Sequence, residues 1–226
     1  MLKIYHMPNS RSTRVIVAAE ELGIPYEIDL RRRSELKKPD LLAINPLGGA
    51  PAIEDGAVKM MESMAIVQYL IDRYDSQGRL AAPTADPARA KYLQWLHFAE
   101  ASLAPPVVAY LWSSGRWSTT PLDENARQAA RYRLDIAVGF IDDSLADRQY
   151  MAGERFTAAD IGIYWALHIA RMLEAIDFAE MKNVSGYLAR LDERPSVKKA
   201  MAIPPDYVRE PPGSVQTPPR VKRHSA

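Results

Sequence analysis

Apolar and polar positions change period several times along this chain, and each change marks an element. Leu2-Lys3-Ile4-Tyr5-His6 reads as a short strand, followed by a loop at Met7-Pro8-Asn9-Ser10. From Arg11, Val15, Ala18, Ala19 and Leu22 recur at helical spacing, and Gly23 suits the left-handed position after a helix. Ser10 therefore sits at or near an N-cap. Pro25 to Leu30 alternates as a second strand. Pro51 to Glu54 and Ala57 to Met60 flank Asp55-Gly56, which predicts a hairpin, and Glu62-Ser63 opens a helix. That helix runs to Tyr74, with Met64, Val67, Leu70, Ile71 and Tyr74 on one face.

Ser76 to Pro87 is the clear linker, and Pro87 suits a helix start. Beyond it only helical patterns follow. Ala88 to about Ser114 is one, which Pro105-Pro106 must kink or split. About Leu122 to Leu145 is the next. At Phe156-Thr157-Ala158-Ala159-Asp160-Ile161, Thr157 and Asp160 have the spacing of a capping box, and Phe156 and Ile161 that of a hydrophobic staple. The helix from Ile161 to Leu173 is apolar nearly all round, which predicts a central place in a bundle. A helix from about Val184 to Asp192 stops near Pro195, and a short one ends near Met201. The charged run Arg31 to Asp40 reads as a solvated loop. From Ile203, Pro204-Pro205, Pro211-Pro212 and Pro218-Pro219 punctuate a segment with no helical period, expected to be extended, lying as a strap across the helices or a partner subunit. The divisions expected are residues 1–76, a linker at 77–87, an all-helical unit at 88–202 and a Pro-rich tail at 203–226.

Composition narrows the chemistry. At 226 residues the chain has room for two modest domains, and its net charge of +1 argues against nucleic acid or an anionic membrane as the main partner. No apolar run approaches a membrane span. Cysteine is absent, which excludes disulfides, thiolate metal sites and a protein-borne thiol nucleophile, and fits a reducing cytoplasm. His6, His97, His168 and His224 are scattered without ligand spacing, so no metal site is expected.

The β-α-β unit of about thirty residues, then hairpin and helix, matches a thioredoxin-like domain, although no C-x-x-C is present. The stretch Asn45 to Ser63, with its N-P-L-G-G-A-P-A-I-E-D-G core followed by E-S, resembles the glutathione-binding half of cytosolic glutathione S-transferases. The resemblance implies a thioredoxin-like N-terminal domain joined to an all-α bundle. It makes Pro51 a cis-proline, whose sharp bend turns Ala50's backbone toward the cysteinyl part of glutathione. Glu62 and Ser63 are then expected to hold the γ-glutamyl end. S-R-S-T-R-V, Ser10 to Val15, resembles the serine-type members, in which a serine four residues before an arginine donates its hydroxyl to the sulfur. Ser10 and Arg14 have that spacing; Ser12 or Asn9 is the competing choice. Lys37 matches a lysine that reaches the glycyl carboxylate, while Leu36 and Gly49 stand where further contacts to that carboxylate are usual. Tyr110, Trp112 and Trp117 are candidates for the second substrate's pocket. The capping box after Gly153 resembles a folding signature of the family's helical domain.

The resemblance thus implies a cytoplasmic, homodimeric, glutathione-dependent transferase of the detoxification kind, acting on a small electrophile. Disulfide reduction, peroxide reduction, or a non-catalytic interaction role on the same fold are the alternatives. A glutathione-using isomerase would usually carry a serine-serine-cysteine run, which is absent.

Overall fold

The computed structural model describes residues 1–113 and 124–203. β1 (Leu2–His6) lies parallel to β2 (Tyr26–Leu30), with Ile4 opposite Ile28. It is antiparallel to β3 (Ala52–Asp55), with Tyr5 opposite Ala52. β3 returns antiparallel as β4 (Val58–Met61), with Ala52 opposite Met61. The sheet order is β2-β1-β3-β4. α1 (Ser12–Leu22) connects β1 to β2, and α3 (Ser63–Tyr74) follows β4. Val15, Ile16 and Ala19 of α1 join Ile66, Val67 and Leu70 of α3 against Leu2, Ile4 and Ile53 of the sheet. A smaller cluster of Tyr5, Met7, Leu36, Leu41 and Ala52 reaches α2 (Pro39–Leu42). This is a thioredoxin-like domain.

The remaining described elements are helices: α4 (Ala88–Phe98), α5 (Ala104–Ser113), α6 (Glu124–Ser144), α7 (Ala158–Met172), α8 (Lys182–Asp192) and α9 (Pro195–Met201). α7 is buried over nearly its whole circumference, as its apolar composition requires. Its start is fixed by Asp160, which accepts from the Thr157 N–H (2.7 Å), the Thr157 hydroxyl (3.1 Å), the Met151 N–H (2.8 Å) and the Tyr187 hydroxyl (2.9 Å). Desolvation still pushes this carboxyl above its ordinary pKa. Gly162 lets α7 approach its neighbours closely, since a Cβ there would stand 2.8 Å from the Cβ of Ala99.

Three local expectations change in detail. The charged segment after β2 is not a plain loop but a 3-10 turn (Arg33–Lys37) followed by α2. Arg31 is nearly buried because Asp29 accepts from it at 2.5 and 2.9 Å, Asp40 at 2.6 Å, and the Tyr5 ring lies 5.3 Å from its guanidinium carbon. Pro105 and Pro106, which have no N–H to place, fall in the first turn of α5, and a π-helical turn (Ala99–Leu103) joins it directly to α4. Linker residues Leu80, Ala81 and Ala82 are buried in the main core, and the Leu80 carbonyl accepts from the Ala158 N–H at 2.9 Å. Trp117, the start proposed for a helix at Leu122, and the Pro-rich tail beyond Ile203 lie outside the described residues.

Candidate active site

Strand register brings three segments to one end of the sheet. Tyr5 faces Ala52 and Ala52 faces Met61, so the continuations of all three strands lie side by side. These are the loop Met7 to Arg11, the entry Ala50-Pro51, and the turn Glu62-Ser63. The Ala50-Pro51 peptide bond is cis.

The loop after β1 is tight. Asn9 takes a left-handed φ of 58°, which its short polar side chain tolerates, and the Ser10 N–H donates to the Met7 carbonyl at 3.2 Å. Ser10 stands just before the Arg11 cap position of α1, and its Oγ accepts from the Ser12 N–H at 3.2 Å. Ser12 lies completely buried behind it, its Oγ 2.7 Å from Ser10 Oγ and 2.8 Å from His6 Nδ1. Ser12 Oγ also accepts from the Met7 N–H at 3.1 Å. Desolvation pulls the pKa of His6 down to about 4.

Arg14 is buried one turn into α1 and joins the site to the helices. Its Nη1 donates to Ser63 Oγ at 3.0 Å and pairs with Glu100 on the π-helical turn. Its Nη2 donates to the Gly162 carbonyl at 2.9 Å, and its guanidinium lies 4.7 Å from the centre of the Trp165 ring. Burial lowers its pKa to about 10, against the pull of Glu100, so it stays a cation at neutral pH. Because Ser63 Oγ accepts from Arg14, its own proton is free to be donated elsewhere. Glu62 is exposed beside it, with φ 73°, and its carbonyl accepts the Ile66 N–H at 2.9 Å.

Asn45 shapes the approach to Ala50 by donating to the Gly49 carbonyl at 2.9 Å and accepting the Leu47 N–H at 3.1 Å. Lys37 is docked on this turn, its Nζ donating to the Leu47 carbonyl at 2.7 Å. A Cβ on Gly48 would stand 2.5 Å from Lys37 Cδ, and φ is +60°, so both demands favour glycine there.

Of the aromatic candidates on α5, Trp112 is exposed and meets Arg33 of the 3-10 turn, 5.0 Å from its ring centre. Tyr110 pairs instead with Arg127 of α6 at 5.5 Å. The sequence flags neither His6 nor Glu100. The histidine stands out only as a polar residue in a buried strand, and the glutamate reaches Arg14 across 86 positions of chain. Among the described residues no three histidines, cysteines or carboxylates group to hold a metal ion.

The end of the sheet thus offers a hydroxyl at a helix start, an exposed carboxylate for an ammonium, and a hydroxyl backed by a buried cation for a carboxylate. Residues 4–78 match the family model described as glutathione S-transferase, N-terminal domain, and residues 124–190 that of the C-terminal domain. Glutathione S-transferase 3 of Schizosaccharomyces pombe is 31% identical over 217 residues, covering 88% of this chain and 86% of the relative. Glutathione S-transferase 3 of Zea mays is 32% identical over 217 residues, covering 90% and 95%. A Pseudomonas putida glutathione transferase, solved with one glutathione disulfide bound per subunit, superposes with a TM-score of 0.80 at 26% identity, covering 90% of this chain and 91% of that one. With two family models matched in order and these relatives aligned along most of its length, the chain belongs to the glutathione S-transferase family.

Proposed function

We propose that this protein activates glutathione as its thiolate for attack on a small electrophilic co-substrate, with Ser10 as the catalytic hydroxyl. The observation that supports this most is the convergence of Ser10, Ala50-Pro51 and Glu62-Ser63 at one end of the sheet, fixed by strand register. Glu62 takes the γ-glutamyl ammonium, Ser63 with Arg14 behind it takes the neighbouring carboxylate, and the Ala50 backbone pairs with the cysteinyl unit. Lys37 reaches the glycyl end, while Asn9 borders the sulfur and Ser12 supports Ser10 from within. Trp112, and Tyr110 more remotely, line the second substrate's side.

Magnitudes allow this without a general base. A thiol with pKa about 8.5 is only about 3% thiolate at pH 7, and moving it down by about two units requires about 2.7 kcal/mol. A hydroxyl bond to the charged sulfur contributes about 1.5–3 kcal/mol. The α1 N-terminus adds about 0.3–1 kcal/mol. Ser10→Ala is therefore expected to raise the bound thiol's pKa and lower turnover with a chloronitroaromatic, while glutathione affinity stays near the unmodified value. An unchanged pKa, with a raised one in Asn9→Ala, would transfer the role to Asn9.

A second reaction has a specific observation in its favour. The Pseudomonas putida relative holds glutathione disulfide, and this chain has no cysteine of its own to enter an exchange. In such a reduction the thiolate attacks one sulfur of a disulfide, forming a mixed disulfide and releasing the other sulfur as thiolate. Turnover of a glutathionyl mixed disulfide in excess of chloronitroaromatic conjugation would favour it. We further propose a cytoplasmic homodimer, with the partner covering the row Tyr132, Ile136 and Phe140, which α6 leaves exposed.

A further inference from the structure

We propose that His6 and Ser12 form a buried relay that orients and polarises the Ser10 hydroxyl, making both positioning residues for the thiolate. The inference rests on the assignment of Ser10 to the sulfur and adds to it the reason that this hydroxyl donates outward.

The relay is three side chains long: His6 Nδ1 to Ser12 Oγ at 2.8 Å, then Ser12 Oγ to Ser10 Oγ at 2.7 Å. Its direction follows from counting donors and acceptors. His6 is wholly buried, and desolvation keeps it neutral near pH 7, so the ring carries one proton. Nε2 has no hydrogen-bond partner among the described residues. A proton there would leave a buried donor orphaned, whereas a proton on Nδ1 is satisfied by Ser12 and leaves only a bare lone pair.

With Nδ1 donating, Ser12 Oγ accepts twice, from His6 and from the Met7 N–H at 3.1 Å. Its own proton then has two acceptors to choose from, the Met7 carbonyl at 3.1 Å and Ser10 Oγ at 2.7 Å. The shorter contact is the one to Ser10. Ser10 Oγ already accepts the Ser12 N–H at 3.2 Å, so a second accepted bond fills both its lone pairs. The Ser10 proton is then left to point away from the relay. A hydroxyl that accepts two bonds is also the stronger donor, because chained hydrogen bonds polarise one another. Ser12 cannot take the sulfur's bond itself, since it is sealed behind Ser10 with no exposed surface.

The test is the pKa of bound glutathione, read from ultraviolet thiolate absorbance against pH at saturating ligand, in variants checked for fold by circular dichroism. Ser10→Ala is expected to raise it by about one unit or more. His6→Phe, which keeps the shape and removes the donor, should raise it by about half a unit. His6→Asn, with an amide N–H near the Nδ1 position, should restore it. His6→Phe added to Ser10→Ala should change nothing further. A merely structural role would lower thermal stability and leave the bound pKa in place. Should Ser10→Ala raise the pKa while folded His6→Phe and Ser12→Ala both leave it unchanged, the relay is wrong and Ser10 keeps its role. Should Ser10→Ala itself have no effect, the Ser10 assignment fails and the relay falls with it. If His6→Phe does not fold, Ser12→Ala decides alone, since it cuts the same path.

Discussion

Glu62 stands exposed at the turn into α3, beside a Ser63 hydroxyl that Arg14 backs at 3.0 Å. Removing the carboxylate takes away an exposed negative charge that suits an ammonium, so Glu62→Ala is expected to raise the glutathione dissociation constant at least tenfold, about 1.4 kcal/mol. Calorimetry giving equal affinities would remove Glu62 from the site. His6 makes a pH prediction with a definite sign. Its folded pKa of about 4 lies below the ordinary histidine value of 6.5, so the unfolded chain takes up a proton that the folded chain refuses. Acid therefore destabilises the fold between about pH 6.5 and 4, by up to about 1.4 kcal/mol per unit from this group. Denaturant unfolding of wild type and His6→Phe should diverge across that window, the variant having the flatter profile. Parallel profiles would mean that His6 is not buried neutral. Ser10, Glu62 and Ser63 can be proposed from the sequence because short motifs resembling the family's carry them. The sequence conceals Glu100, which meets Arg14 across 86 positions of chain, and His6, whose bond to Ser12 six residues on depends on the fold of the loop between them.

The elements were the most legible level, because period and punctuation are local. The strand-helix-strand start, the hairpin at Asp55-Gly56 and the central α7 follow from alternation, helical spacing and an apolar circumference. The π-helical turn before Pro105-Pro106 was not legible, since two prolines predict a kink or a split without saying how the chain before them adjusts. Arg31 escaped for a similar reason: a run of charges looks solvated until Asp29 and Asp40 are seen to enclose its guanidinium. Asp160 accepts four hydrogen bonds from Met151, Thr157 and Tyr187 in a buried site. Asp160→Ala leaves those donors unpaired, at about 1–3 kcal/mol each, so a loss of at least about 3 kcal/mol is expected. Denaturant unfolding that finds less than about 1 kcal/mol would show that water replaces the carboxylate.

Across the whole molecule, Arg14 joins α1, the start of α3, the π-helical turn and α7 through Ser63, Glu100 and Gly162, so the end of the sheet and the helices share one buried cation. No local pattern could announce that union. On the outer face of α6, Tyr132, Ile136 and Phe140 are exposed beside a groove of about 430 Å³. If a second subunit covers it, Ile136→Glu should weaken the dimer at least tenfold while the fold is kept, as light scattering across a dilution series would report. An unchanged dimer would put the interface elsewhere. The proposed reaction requires glutathione to lie along the end of the sheet with its sulfur at Ser10. Electron density of the protein crystallised with glutathione tests it most directly. The sulfur is expected within hydrogen-bond distance of Ser10 Oγ and the γ-glutamyl group at Glu62 and Ser63. Density with the sulfur away from Ser10, or with the γ-glutamyl end turned from Glu62, would contradict it.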